Sequence, residues 1–209
     1  MKLVLFFYTF TDFRNQQDQT KMDTETFAKT PFGKIFLKLI AAIMESRFRY
    51  RFFSPIKILQ GADIQPGQNV LELGCGTGYF TITASQLIGE NGKLTAMDIL
   101  QESVDFVSEK VRKADLTNVI VKKGNAMDTG LDAETFDTVL LFGVIPAPMI
   151  PMIRLMSELH RILKPGGILS VWPPVPGYLP KSVLKSELFT LNNKRNGVYN
   201  FKRKRKETL

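Results

Sequence analysis

Residues 70 to 80, Val-Leu-Glu-Leu-Gly-Cys-Gly-Thr-Gly-Tyr-Phe, constrain the fold of this chain more than any other stretch. Val70, Leu71 and Leu73 suit a parallel strand covered on both faces, and Gly74, Gly76 and Gly78 give a turn where backbone meets a ligand with no Cβ between them. Helical patterning resumes over Tyr79 to Ile88. Strand, glycine turn and helix in that order mark the carboxyl end of the first strand of an α/β sheet, where nucleotide-type ligands sit.

Glycine spacing and a nearby acid narrow the ligand. A dinucleotide fingerprint needs G-x-G-x-x-G, and Tyr79 stands where its third glycine would be. Glu72, two residues before the turn, repels a pyrophosphate at short range and favours a ligand bearing an ammonium and a sulfonium. Lys93 to Met97 reads as a second strand, and Asp98 follows it, twenty residues after Gly78, where an acid accepts hydrogen bonds from ribose hydroxyls.

The runs Glu72 to Tyr79 and Ala96-Met97-Asp98-Ile99 resemble the cofactor site of class I S-adenosylmethionine-dependent methyltransferases. Leu159 to Gly167 resembles the L-x-R-x-L-K-P-G-G run that precedes the fifth strand in the branch methylating small molecules, quinone rings included. The matches span roughly Pro55 to Arg203. The resemblance implies an α/β, doubly wound, seven-stranded sheet, mostly parallel with a C-terminal antiparallel hairpin. It also implies S-adenosyl-L-methionine as cofactor, held by Glu72, Gly74, Cys75, Gly76, Gly78, Tyr79, Asp98, Ile99, Asn125, Ala126, Phe142 and Gly143. Asn125 departs from the pattern, because an acid commonly receives the adenine amino group there; an amide oxygen can accept the same bond.

A length of 209 residues accommodates one such domain with residues left over, so the expected division is an N-terminal extension with a lid helix at 1–54 and a catalytic domain at 55–209. Apolar content of 44% is that of a soluble globular chain, and no run is long enough to span a bilayer. A single cysteine, Cys75, excludes an internal disulfide and points to a reducing cytoplasm. Net charge of +8 invites an anionic partner; basic residues gather at Arg47, Arg49, Arg51 and Lys202 to Lys206 rather than along the cofactor elements. That distribution favours peripheral contact with an anionic membrane over nucleic acid, with a solvated basic tail as the plain alternative.

The opening apolar run is too short for an anchor, and Met22 begins a stretch with its own helix-capping chemistry, so residues 1–21 read as an over-called start or an ordered flap. Thr30 to Phe53 has apolar residues at spacings of three and four, interleaved with arginines: an amphipathic helix and candidate lid, or a helix packed on the sheet. Pro55 to Gly61, Leu100 to Ala114, Met152 to Leu163 and Lys181 to Glu187 read as helices. Val119 to Val121, Phe136 to Phe142 and Ile168 to Trp172 read as the third to fifth strands, and Asn196-Gly197 as the turn of the closing hairpin. His160 reads as a helix residue away from the cleft.

The loop Gly143 to Met149 is almost wholly apolar and lacks the Asn/Asp-Pro-Pro-Tyr run of amino-methylating enzymes, and no free cysteine outside the turn is available for cytosine C5 chemistry. No side chain is marked as a general base, so the catalytic assignment stays open. The expectation is methyl transfer to a small, apolar or lipid-soluble acceptor. The alternatives are RNA methylation, suggested by the charge, and a module that binds the cofactor without transferring its methyl.

Overall fold

A computed structural model describes residues 30, 54–145, 150–173 and 177–205. The candidate lid over Thr30 to Phe53, residues 1–21, the loop residues 146–149, Pro174, Pro176 and the tail from Lys206 lie outside the described residues, Thr30 itself excepted.

The described chain runs α1 (Pro55–Gly61), β1 (Asn69–Leu73), α2 (Thr81–Ile88), β2 (Lys93–Asp98), α3 (Gln101–Lys113), β3 (Val119–Lys123), β4 (Phe136–Phe142), α4 (Met152–Ile162), β5 (Leu163–Trp172), α5 (Lys181–Lys185), β6 (Phe189–Arg195) and β7 (Val198–Arg203). One seven-stranded sheet has the order β3-β2-β1-β4-β5-β7-β6. Its β1–β2, β2–β3, β1–β4 and β4–β5 pairs are parallel, and β7 is antiparallel to both β5 and β6. The order reverses beside β1, which puts a crevice at the carboxyl ends of β1 and β4.

The central strands are apolar on both faces, so each face needs its own cover. Leu71 and Leu73 point to the side closed by Leu155, Met156 and Leu159 of α4. Val70 points to the side closed by Ile58 and Leu59 of α1 and Ala84 and Ile88 of α2. Burying a leucine of this kind contributes on the order of 1.5–3 kcal/mol. Val104, Val107 and Val111 recur at the three- and four-residue spacing of a helix and are the buried face of α3.

Among the boundaries that differ from the sequence reading, two bear on the site and the sheet. Helix α2 begins at Thr81 rather than Tyr79, because the glycine turn continues through Phe80. Strand β5 begins at Leu163, whose partner is Phe136, so the Lys-Pro-Gly-Gly run is an irregularity within the strand rather than a segment preceding it. The hairpin falls where expected: Asn196 and Gly197 both have positive φ, 48° and 81°, as a two-residue primed turn requires.

Candidate functional site

The residues singled out in the sequence converge on the carboxyl edge of the parallel strands. Glu72 and Gly74–Gly78 come from the end of β1, Asp98 and Ile99 from the end of β2, Asn125 and Ala126 from the end of β3, and Phe142 and Gly143 from the end of β4.

Hydrogen bonds hold the glycine turn in place. The Gly74 and Cys75 amides both donate to the Met97 carbonyl, at 2.8 and 3.1 Å, and the Gly78 amide donates to the Cys75 carbonyl at 2.8 Å. The Gly76 amide donates to Asp98 Oδ2 at 2.9 Å, and Asp98 Oδ1 accepts the Leu100 amide at 3.0 Å. From α3, Lys110 Nζ donates to the Thr77 carbonyl at 2.9 Å. Gly74 is exposed at the crevice with φ 74°, and a Cβ there would come within 2.6 Å of Val144 Cγ2. At Gly78 the constraint is close approach, since Val107 Cγ2 lies 3.2 Å from where a Cβ would be.

Two carboxylates face this turn, Glu72 buried and Asp98 half-buried. Glu72 is 3% exposed and accepts the Thr81 hydroxyl at 2.7 Å. Burial pushes its carboxyl up to about 7; the Thr81 hydrogen bond works against that shift and the Asp98 charge adds to it. Burial likewise raises Asp98, opposed by the amides of Leu100, Gly76 and Ile99. Each carboxylate oxygen keeps a lone pair beyond the bonds named here. The arrangement is therefore a glycine-lined crevice with two acids of like charge under it, electrostatically matched to a cationic ligand with hydroxyl donors.

Not every expected side chain faces the crevice. Cys75 packs among Ala96, Val107 and Val111, so only its backbone borders the turn, and burial with the nearby Glu72 and Asp98 charges raises its thiol strongly. Tyr79 lies in the core against Ile58 and Leu59, with its ring edge-on to Phe80 at 4.9 Å. Phe80 in turn meets Phe142 at 5.0 Å and Trp172 at 5.9 Å, an aromatic cluster in the core under the ends of β4 and β5. Asn125 Oδ1 accepts the Met127 amide of its own turn at 3.0 Å, and its side chain is at the surface. His160 is buried in α4, with Nε2 2.9 Å from the Lys204 carbonyl and its ring against Phe189. Sequence reasoning missed Thr81, the partner of Glu72, and Lys110, the tie on Thr77. Thr81 opens α2 one turn past the last glycine, a local signal; Lys110 reaches the turn only through the packing of α3.

A sequence profile described as a methyltransferase domain matches residues 70–167. The demethylmenaquinone methyltransferase of Listeria welshimeri is 36% identical over 120 residues, which are 55% of this chain and 50% of that protein. The chain thus spans about half the length of the curated relatives it matches. Among solved structures, a SAM-dependent methyltransferase from Aquifex aeolicus superposes with a TM-score of 0.63 at 23% identity, covering 79% of this chain and 96% of that one. Coclaurine N-methyltransferase, bound to N-methylheliamine and SAH, superposes with a TM-score of 0.57 at 25% identity, covering 73% of this chain and 48% of that one. Residues 70–167 thus match a methyltransferase domain, and the chain has the fold of S-adenosylmethionine-dependent methyltransferases.

Proposed function

We propose that this chain methylates a small, apolar, lipid-soluble acceptor of the quinone class, with S-adenosylmethionine held at the β1–β2 edge. The observation that carries the cofactor part is the pair of acids, buried Glu72 and half-buried Asp98, beside the glycine turn at the ends of β1 and β2. These residues fit the group. Glu72 offers negative charge toward its ammonium and sulfonium, Asp98 offers lone pairs to the ribose hydroxyls, and Asn125 with Ala126 borders the adenine. Among the described residues nothing crowds Gly143 at the end of β4, where the acceptor would enter.

When bound, S-adenosylmethionine supplies an electrophilic methyl group. The work left to the chain is to align an acceptor atom with that methyl and keep water out, and good positioning is worth roughly 7–11 kcal/mol. Support for the acceptor class comes from the Listeria relative's name.

The test is methyl transfer from labelled S-adenosylmethionine, with the purified chain offered a lipid extract containing unmethylated quinones and, separately, total RNA. Label in the quinone fraction is the expected result. Label entering RNA alone overturns the acceptor. Tight cofactor binding with no transfer to either pool would leave a binding module.

A further inference from the structure

The basic stretch from Lys202 to Arg205 is far from the crevice. Strand β7 runs antiparallel to β5, with Val171 opposite Tyr199 and Ile168 opposite Lys202, so this stretch lies at the amino edge of the sheet. Any surface that serves the crevice must come from the other edge.

That edge has such a surface on its β4–β5–β7 half. Ile153, in the first turn of α4, is 82% exposed, more than any other large apolar residue described, and Arg154 beside it is exposed. On the opposite face of the sheet, Ile56 is 40% exposed and precedes the exposed Lys57 at the start of α1. The two pairs share an edge: the Lys57 carbonyl accepts Asn196 Nδ2 at 2.7 Å, and Asn196 is at the tip of the hairpin beside Trp172, at the carboxyl end of β5. Lys194, adjoining that tip, is exposed as well. Neither Lys57 nor Arg154 forms an ion pair among the described residues. The acids of this edge that α3 carries, Glu102 and Asp105, belong to the β2–β3 half.

Isoleucines set beside lysine and arginine on both flanks of the crevice match one environment, the boundary between acyl chains and anionic headgroups. There the apolar side chains leave water and the cations meet phosphate, at about 1 kcal/mol per Lys or Arg near the surface. We infer that the carboxyl edge, through Ile153, Arg154, Ile56, Lys57 and Lys194, docks on an anionic lipid bilayer and brings the crevice to an acceptor dissolved in it. This deepens the proposed function and rests on it.

The test floats the full chain with vesicles of phosphatidylcholine mixed with phosphatidylglycerol, and with phosphatidylcholine alone. Binding to the mixed vesicles only is expected. Ile153→Gln and Arg154→Glu, both exposed substitutions, should each weaken it about tenfold, while Lys202→Glu with Lys204→Glu, at the amino edge, should keep most of it. No flotation, equal loss in the amino-edge variant, undiminished binding by Ile153→Gln, or retention by RNA rather than by vesicles overturns the inference. Transfer to a detergent-dispersed acceptor separates the two readings. A chain that fails on vesicles but methylates the dispersed acceptor loses only the docking surface, whereas one that floats as described but methylates no lipid loses the proposed function.

Discussion

The Asp98 carboxylate accepts the Gly76 amide at 2.9 Å, so the second acid of the crevice is also the tie that fastens the glycine turn to the end of β2. Asp98→Ala removes the proposed ribose contact and releases the turn together. Hydrogen bonds to charged groups are worth about 1.5–3 kcal/mol, so cofactor affinity should fall roughly 10- to 100-fold. Isothermal calorimetry reads this directly, and an unchanged dissociation constant would remove Asp98 from the cofactor site.

Glu72 gives the protein a pH dependence opposite to that of an ion-paired acid. Its carboxyl titrates at about 7 when folded against 4.5 as a free side chain, so between these values the folded state holds a proton that the unfolded chain has released. The associated stability is present below the lower value and lost as pH rises through the upper one, on the order of 3 kcal/mol in all. Thermal melts of the cofactor-free chain should therefore drop on going from about pH 5 to about pH 8, and Glu72→Gln should flatten that slope. A cationic ligand favours the ionised acid, so binding below neutrality should release a proton; calorimetry in buffers of different ionisation enthalpy would detect its absence.

Gly74→Ala places a Cβ on a backbone at φ 74° and 2.6 Å from Val144 Cγ2. Left-handed strain of about 1–2 kcal/mol and a clash of similar or larger size should together lower unfolding stability by about 2–4 kcal/mol. Adding Val144→Ala relieves the clash but not the strain. The double variant should recover roughly half of the loss in denaturant unfolding, and full recovery would mean the backbone conformation carries no penalty.

The spine of the site was legible because it is local. Strand, glycine turn and helix lie within nineteen residues from Val70 to Ile88, and Asp98 follows one crossover later, so their order alone brought Glu72, Gly76 and Asp98 together. Side-chain direction was less legible. Whether Cys75 and Tyr79 face the crevice or the core depends on the turn's dihedrals and on the packing of α3 and α1, and both side chains go inward. The Lys110 tie could not be read from spacing, since it joins residues 33 apart through the lie of a helix. The start of β5 was misplaced for a related reason: the run through Gly167 was placed before the strand, yet Leu163 is drawn into the ladder by its partner Phe136.

Glu158 supplies the converse of Glu72. It is 9% exposed, accepts the Thr129 amide at 2.9 Å and hydroxyl at 2.5 Å, and is paired with Arg161 at 2.7 Å, while Arg161 also donates to the Leu131 carbonyl. Helix α4 is thereby pinned to the segment that follows Asn125 and Ala126. Arg161 foremost, then the Thr129 hydroxyl and amide, hold the carboxyl down at about 2 despite its burial, below the ordinary 4.5. The stability tied to this shift is present above the ordinary value and lost as pH falls toward 2. Glu158→Gln keeps the shape and an acceptor for Thr129 but loses the charge, so it should cost about 1–3 kcal/mol at neutral pH. Its deficit relative to the unaltered chain should shrink in acid, where the native carboxylate is itself protonated. Unfolding free energies of the two proteins at neutral and acidic pH make the comparison, and a deficit that stays constant with pH would show that shape, rather than charge, is what Glu158 contributes to the clamp.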